Sequence, residues 1–236
     1  MIEKLEKAIN KAKRIVFFGG AGVSTESGLK DFRGKEGLNK EKFDDLSPET
    51  ILSINYFNSN TKDFYKHYRK MFLTNKVRPN DAHKYLAYLE ESGKNITVIT
   101  QNIDNLHQLA GSRNVLELHG SIFRNYGIET KEKVLGIDHL INTEGIPKTK
   151  SGDILRPDVT LYGEPLNQEV IIKAVNALQN ADLLIVAGTS LTVYPAAGLI
   201  NYFKGNNIFA INRDYIPIDN FIQGDIGKIF NQMRRK

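Results

Sequence analysis

The sequence predicts an α/β fold, an open doubly wound sheet with a smaller module set into it, and three observations carry that prediction. Short apolar runs without polar alternation recur along the chain, each follows a segment of helical periodicity, and each ends at Gly, Gln or Asn. Unalternated runs suit parallel strands covered on both faces, and strands alternating with helices build sheets that bind ligands at the carboxyl ends of their strands. The polar residues just after each run are therefore the ones that matter for chemistry.

Ile2, Leu5, Ala8, Ile9 and Ala12 recur at helical spacing, and Ile15-Val16-Phe17-Phe18 follows as a buried strand ended by Gly19-Gly20. Further strands are predicted at Ile96 to Thr100, Leu183 to Ala187 and Asn207 to Ile211. A fifth, Val115 to Leu118, alternates more and ends at His119-Gly120. The pattern breaks at about 41–80, which is helical and aromatic-rich, and at 121–155, which is polar and dotted with glycine. These two stretches read as one small module inserted in a larger domain that spans 1–236. A chain of 236 residues suits one such core better than two independent halves.

Composition narrows the function. Apolar residues at 41% and charged residues at 25% are ordinary soluble usage, which excludes disordered and collagen-like classes. No apolar run is long enough to span a bilayer and the first residues are too charged for a signal peptide, so a soluble cytoplasmic protein is expected, with no membrane partner. The net charge of +5 is scattered rather than gathered into a basic stripe, so no nucleic-acid partner is expected. With no cysteine, a thiolate nucleophile and a cysteine-held zinc are both ruled out. No motif specifies an oligomeric state.

After the first strand comes Gly19-Gly20-Ala21-Gly22-Val23-Ser24-Thr25, where glycines would let the backbone approach a pyrophosphate at the start of a helix. Thr25 replaces the third Gly or Ala of a dinucleotide fingerprint, and no acidic residue ends a second strand about 20 residues on, so a hydride-transferring dehydrogenase is disfavoured. A glycine turn that merely connects strand to helix is the competing reading. In Lys30-Asp31-Phe32-Arg33-Gly34, an Arg could reach a phosphate and a Phe could cover a reactive sugar. Gln101-Asn102-Ile103-Asp104 offers two amides and a carboxylate at the end of a core strand, with a helix cap as the alternative. His119 ends another strand, whereas His67, His83 and His139 read as structural.

Together with Arg156-Pro157-Asp158-Val159-Thr160-Leu161-Tyr162-Gly163-Glu164 and Gly188-Thr189-Ser190-Leu191, these motifs resemble the sirtuin family in order and spacing, from about Phe17 to Asn212. The resemblance implies a Rossmann-like large domain, NAD as cofactor and acylated lysine in proteins or peptides as substrate. It implies an NAD-dependent protein lysine deacylase that yields nicotinamide, 2'-O-acyl-ADP-ribose and free lysine. By the same resemblance Gly20, Ala21, Gly22, Ser24 and Arg33 would line phosphate and ribose, and Phe32 would shield the sugar. Asn102, Ile103 and Asp104 would form the nicotinamide pocket, Gln101 would meet ribose hydroxyls, and Gly188, Thr189, Ser190, Asn212 and Asp214 would hold the adenosine half. Val159, Thr160, Leu161, Tyr162 and Gly163 would pair with the substrate backbone as an added strand. His119 would be the general base and Asn102 its catalytic companion. An imidazole with an ordinary pKa near 6.5 suits that role close to neutral pH.

The chain departs from the family in three places. The two Cys-x-x-Cys pairs that hold zinc in most sirtuins are absent between His119 and Arg156, so no metal is expected, and Ile122, Phe123, Val134, Leu135, Ile137, Leu140 and Ile141 are expected to hold the module by apolar contact. Lys30 replaces the usual proline before Asp-Phe-Arg, and the stretch between Asn212 and Gly224 is short. Tyr65 matches the Tyr-x-x-Arg of sirtuins that remove acidic acyl groups, but Tyr68 stands at the Arg position, which favours neutral acyl chains with Tyr65 as a substrate contact. The alternatives are NAD-dependent protein ADP-ribosyl transfer or NAD hydrolysis, which use the same ribose chemistry, and a non-catalytic NAD-binding module.

Overall fold

The computed structural model describes residues 1–32, 37–73 and 77–234. The chain opens with α1 (Ile2–Lys11) and β1 (Arg14–Gly19), then runs through α2 (Pro48–Ile51), α3 (Ile54–Ser59), α4 (Thr61–Phe72) and α5 (Asp81–Glu91). Next come β2 (Asn95–Thr100), α6 (Leu106–Leu109), β3 (Val115–Glu117), β4 (Gly120–Gly127), β5 (Lys133–Leu135), α7 (Asp138–Ile141) and β6 (Leu155–Val159). The chain finishes through α8 (Gln168–Asn180), β7 (Leu183–Ala187), β8 (Ile208–Asn212), β9 (Phe221–Gln223) and α9 (Ile226–Arg234).

Six strands form one sheet in the order β3-β2-β1-β7-β8-β9, and every neighbouring pair is parallel. The order runs outward in one direction from β1 and in the other from β7, which is the Rossmann arrangement with its switch point between those two strands. Both faces are covered, as the unalternated runs require. Ile15 and Phe17 face one layer with Leu5 and Ile9 of α1, Leu86 of α5 and Phe230 of α9. Val16 and Phe18 face the other with Ala174 and Leu178 of α8. Phe17 and Phe18 are wholly buried, which is worth roughly 1.5–3 kcal/mol each. Local sequence sets the helix starts: Asn80 caps α5 in a reciprocal box with His83, and Asn167 caps α8 by accepting from Glu169 and Val170.

A third apolar cluster lies apart from this sheet. It gathers Phe57 of α3, Phe64, Tyr65 and Tyr68 of α4, Ile122 of β4, Leu140 of α7 and Leu155 and Val159 of β6. Phe64 anchors it, with ring centroids 5.0 Å from Phe57 and 5.3 Å from both Tyr65 and Tyr68. The stretch read from sequence as polar and irregular contains an antiparallel sheet, β5-β4-β6. Its register slips between Ser121 and Asn125, which interrupts the alternation that would have marked a strand. Among the residues expected to hold the module, Ile122 and Leu140 are buried, and Phe123, Val134 and Ile137 pack against the cluster. Leu135 and Ile141 are corrected: they are 76% and 45% exposed, because β5 is a three-residue edge strand and α7 a single turn. No helix among the described residues is long and apolar enough to cross a membrane.

Candidate active site

Two glycine turns meet at the switch point, one after β1 and one after β7. The Gly20 amide donates to the Ala187 carbonyl at 3.1 Å and the Gly22 amide to the Gly188 carbonyl at 2.8 Å. A Cβ on Gly22 would stand 2.7 Å from Gly188 Cα, and one on Gly188, whose φ is +60°, would stand 2.4 Å from the Val23 nitrogen. These glycines therefore admit one turn against the other, a closer reason for them than the connecting-turn reading supplied. The segment Ala21–Ser27 that follows is a 3-10 helix rather than the α-helix start that the fingerprint suggested.

Behind the turns lies a buried polar network. Asn102 Nδ2 donates to Ser24 Oγ at 3.0 Å, and Ser24 Oγ donates to Asp104 Oδ2 at 2.6 Å. Asp104 Oδ1 accepts from the Leu106 amide at 3.0 Å, so this carboxylate also ties down the first residue of the short α6. Burial pushes the Asp104 carboxyl upward, against the hydrogen bonds from Ser24 and Leu106 that pull it down. Ile103 is half-buried and, like Phe32, packs against the third cluster, so the segments that follow β1 and β2 reach that cluster.

His119 stands where β3 passes into β4. Its Nδ1 lies 2.8 Å from the Gln101 carbonyl oxygen, which can only accept, so Nδ1 carries the proton and Nε2 keeps its lone pair. Burial lowers the pKa of His119, opposed by that hydrogen bond, so the ring is neutral at pH 7. Gly120 has φ +77°, and a Cβ there would lie 1.9 Å from the Asp158 carbonyl oxygen, so no other residue lets the chain leave His119 along β6. The Gln101 side chain reaches Thr189 Oγ1 at 3.1 Å and ties the β2 end to the β7 turn. Thr189 is buried, Ser190 exposed, and at the end of β8 Asn212 Nδ2 donates to the carbonyl of exposed Asp214 at 3.0 Å.

The expected substrate segment is only partly a strand. Val159 ends β6 opposite Gly120, and beyond it the amides of Thr160, Leu161 and Tyr162 already donate to the His119 carbonyl, Glu164 Oε2 and the Leu52 carbonyl. The Leu161 and Tyr162 carbonyls are engaged as well, accepting from the Glu164 and Ile54 amides at 3.0 Å each, so this segment does not present an open strand edge. Tyr162 is exposed, with its ring 6.3 Å from that of Phe32. Tyr65 is corrected to a packing position: it is wholly buried and its hydroxyl donates to the Leu155 carbonyl. Arg33 lies outside the described residues.

A Sir2 family model matches residues 20–195 of the chain. The chain belongs to the Sir2 family. An NAD-dependent protein deacetylase of Clostridium acetobutylicum is 49% identical over 97% of this chain and 96% of its own length, and one of Clostridium perfringens is 46% identical over 98% of each. Among solved structures, a Sir2 enzyme described for its mechanism and regulation superposes with a TM-score of 0.85 at 36% identity, over 98% of this chain and 95% of that one. A Sir2 bound to a p53 peptide and NAD+ superposes with a TM-score of 0.84 at 32% identity, over 100% and 98%. This sirtuin is thus an enzyme of a family that uses NAD, and it has no cysteines with which to hold zinc.

The residues present fit NAD: two glycine turns meet at the switch point, and the amides of Gln101 and Asn102 and the carboxylate of Asp104 stand at the β2 end. Several residues of the site escaped the sequence reading. His83 accepts the Asn80 amide at Nδ1, 3.2 Å, and its Nε2 lies 3.5 Å from Ser24 Oγ, so this sirtuin places a buried imidazole directly behind the network. Arg124 bridges Glu117 and Asp158, and Arg156 joins Glu164, whose carboxylate holds the Leu161 amide. Only the capping position of His83, three residues after Asn80, left a local signal.

Proposed function

We propose that this sirtuin is a cytoplasmic NAD-dependent protein lysine deacylase for neutral acyl groups, acetyl or longer fatty chains, and that it needs no cysteine-held zinc. The observation that carries the reading is His119, its Nδ1 fixed on the Gln101 carbonyl and its Nε2 left as the acceptor. Bound NAD supplies a sugar carbon whose bond to nicotinamide can be broken. In this reading Gly20, Ala21, Gly22 and Arg33 hold the phosphates with Gly188, Thr189 and Ser190, while Asn212 and Asp214 take the far ribose. Asn102, Ile103 and Asp104 receive nicotinamide, with Ser24 fixing the first and last of them. Gln101 meets the ribose hydroxyls and Phe32 keeps water out. His119 Nε2 removes the hydroxyl proton as the acyl group passes to the ribose.

Acyl preference follows from α4. Tyr68 carries no charge, and Arg69 is engaged elsewhere, donating to the carbonyls of Leu140 at 2.6 Å and Gly145 at 2.7 Å. That leaves this helix without a guanidinium for an acidic acyl group. The test is a panel of acetyl-, long-chain- and succinyl-lysine peptides with NAD, followed by peptide mass and by the mass of acyl-ADP-ribose. Acetyl or fatty acyl removal with little desuccinylation is expected. Preferred desuccinylation would overturn the assignment of chain type, and nicotinamide release without deacylation would overturn the reaction.

A further inference from the structure

Away from the nucleotide crevice, on the outer side of α4, three side chains converge. Asp63 and His67 stand one helical turn apart and so share a face. Asp44 reaches them from a tight bend closed by paired hydrogen bonds between Phe43 and Leu46, 3.0 Å each way, with Asp44 and Asp45 both at positive φ. His67 Nε2 lies 3.3 Å from Asp63 Oδ2 and 3.6 Å from Asp44 Oδ2, and one donor atom from each of the three residues lies within 4.8 Å of the others. The imidazole is 3% exposed, and its Nε2 has no hydrogen-bond partner despite this proximity. Its ring is set edge-on to Phe43, centroids 5.9 Å apart.

A polar nitrogen buried without a partner is costly, so what satisfies it is a physical question. The spacing supplies an answer. Two donors bound to one tetrahedral ion at about 2.0–2.1 Å stand about 3.3 Å apart. Carboxylate and carboxylate with one imidazole is a donor set for zinc and its neighbours in the first transition row, whereas magnesium and calcium prefer oxygen alone. We propose that Asp44, Asp63 and His67 form a binding site for one divalent transition-metal ion of the Zn2+ or Co2+ kind, with water completing its coordination. The site is separate from the region where other sirtuins carry cysteines, and it revises the expectation of a metal-free chain that rested on the absence of cysteine.

Two groups compete with the ion. Lys66 Nζ donates to Asp44 Oδ2 and lies 3.9 Å from Asp63 Oδ1, and the Tyr56 hydroxyl donates to Asp63 Oδ2. The Lys66 side chain is 63% exposed, so it can swing into solvent at little cost. Tyr56 occupies one lone pair of a carboxylate that has several. Metal binding would fasten the Asp44 bend to α4. That bend continues a loop whose Leu38 and Asn39 amides donate to the carbonyls of Asp31 and Phe32, so the ion would steady the support of Phe32.

The test uses the full, untagged chain stripped of metal, titrated with Zn2+ by calorimetry and with Co2+ by visible absorption. One ion per chain is expected, with the intense visible bands of low-coordinate Co2+. Asp44→Asn and His67→Gln should each weaken Zn2+ binding roughly tenfold or more, and Lys66→Ala should tighten it by removing the competing cation. Circular dichroism checks folding; should His67→Gln misfold, the exposed Asp44→Asn still decides. No uptake by the wild type, or undiminished affinity in Asp44→Asn, would overturn the proposal.

Discussion

Acid should weaken this sirtuin from within the buried polar network behind its glycine turns, and His83 gives the effect a size. His83 is wholly buried, and desolvation lowers its pKa to about 4 from an ordinary 6.5. The unfolded chain therefore binds a proton that the folded chain refuses. The stability contributed by neutral His83 is complete above the unfolded value and is lost as pH falls from 6.5 towards 4. At 1.36 kcal/mol per unit, the loss between about pH 7 and about pH 4.5 is about 2.5 kcal/mol. Buried His107, whose ring centroid lies 4.7 Å away and whose pKa is also lowered by burial, adds to the loss in the same direction. His83→Gln isolates the His83 share, because Gln at the third helical position can still accept the Asn80 amide but does not titrate in this range. Urea unfolding of both proteins at the two pH values gives four free energies. The wild type should lose about 2.5 kcal/mol more than His83→Gln. Equal losses would refute the reasoning and would mean that His83 is solvated or protonated in the folded state.

Other expectations follow from the same geometry. Gly188→Ala introduces a Cβ 2.4 Å from the Val23 nitrogen at a φ of +60°, so it should cost about 1–3 kcal/mol in urea unfolding and abolish the thermal shift produced by NAD. Glu164→Ala releases the Leu161 amide and the Arg156 guanidinium together, so steady-state kinetics should show a raised KM for acyl-lysine peptide with the KM for NAD little changed. Ser24→Ala leaves Asp104 Oδ2 without its buried donor, and deacylation should fall by at least about tenfold.

The large sheet was legible because burial on both faces forces unalternated apolar runs: β1, β2, β7 and β8 were read within a residue or two of their ends. Strand β9 was not, since three residues at a sheet edge carry no period. The small module's sheet was hidden by the slip between Ser121 and Asn125, and Leu135 was misread as core because hydrophobicity alone does not tell an edge strand's outer face. In the site, His119, Asn102, Asp104 and the glycines announced themselves by following strands. His83 did not, because it reaches Ser24 only through the docking of α5 under the β1 turn, and Arg124 meets Glu117 and Asp158 only once β4 lies beside β6. Tyr65 shows the opposite failure: a motif match on α4 predicted a substrate contact where the helix face points into its own core.

In the proposed reaction His119 Nε2 is the base of a deacylation rather than a bystander of NAD cleavage. The most direct measurement follows nicotinamide release and peptide mass together, for the wild type and His119→Ala, with NAD and an acetyl-lysine peptide. Peptide-dependent nicotinamide release with loss of the acetyl mass is expected in the wild type, with loss of deacylation in His119→Ala while NAD still raises the melting temperature. Deacylation that persists in His119→Ala, or nicotinamide release that ignores the peptide and adds the mass of ADP-ribose to protein, would contradict it.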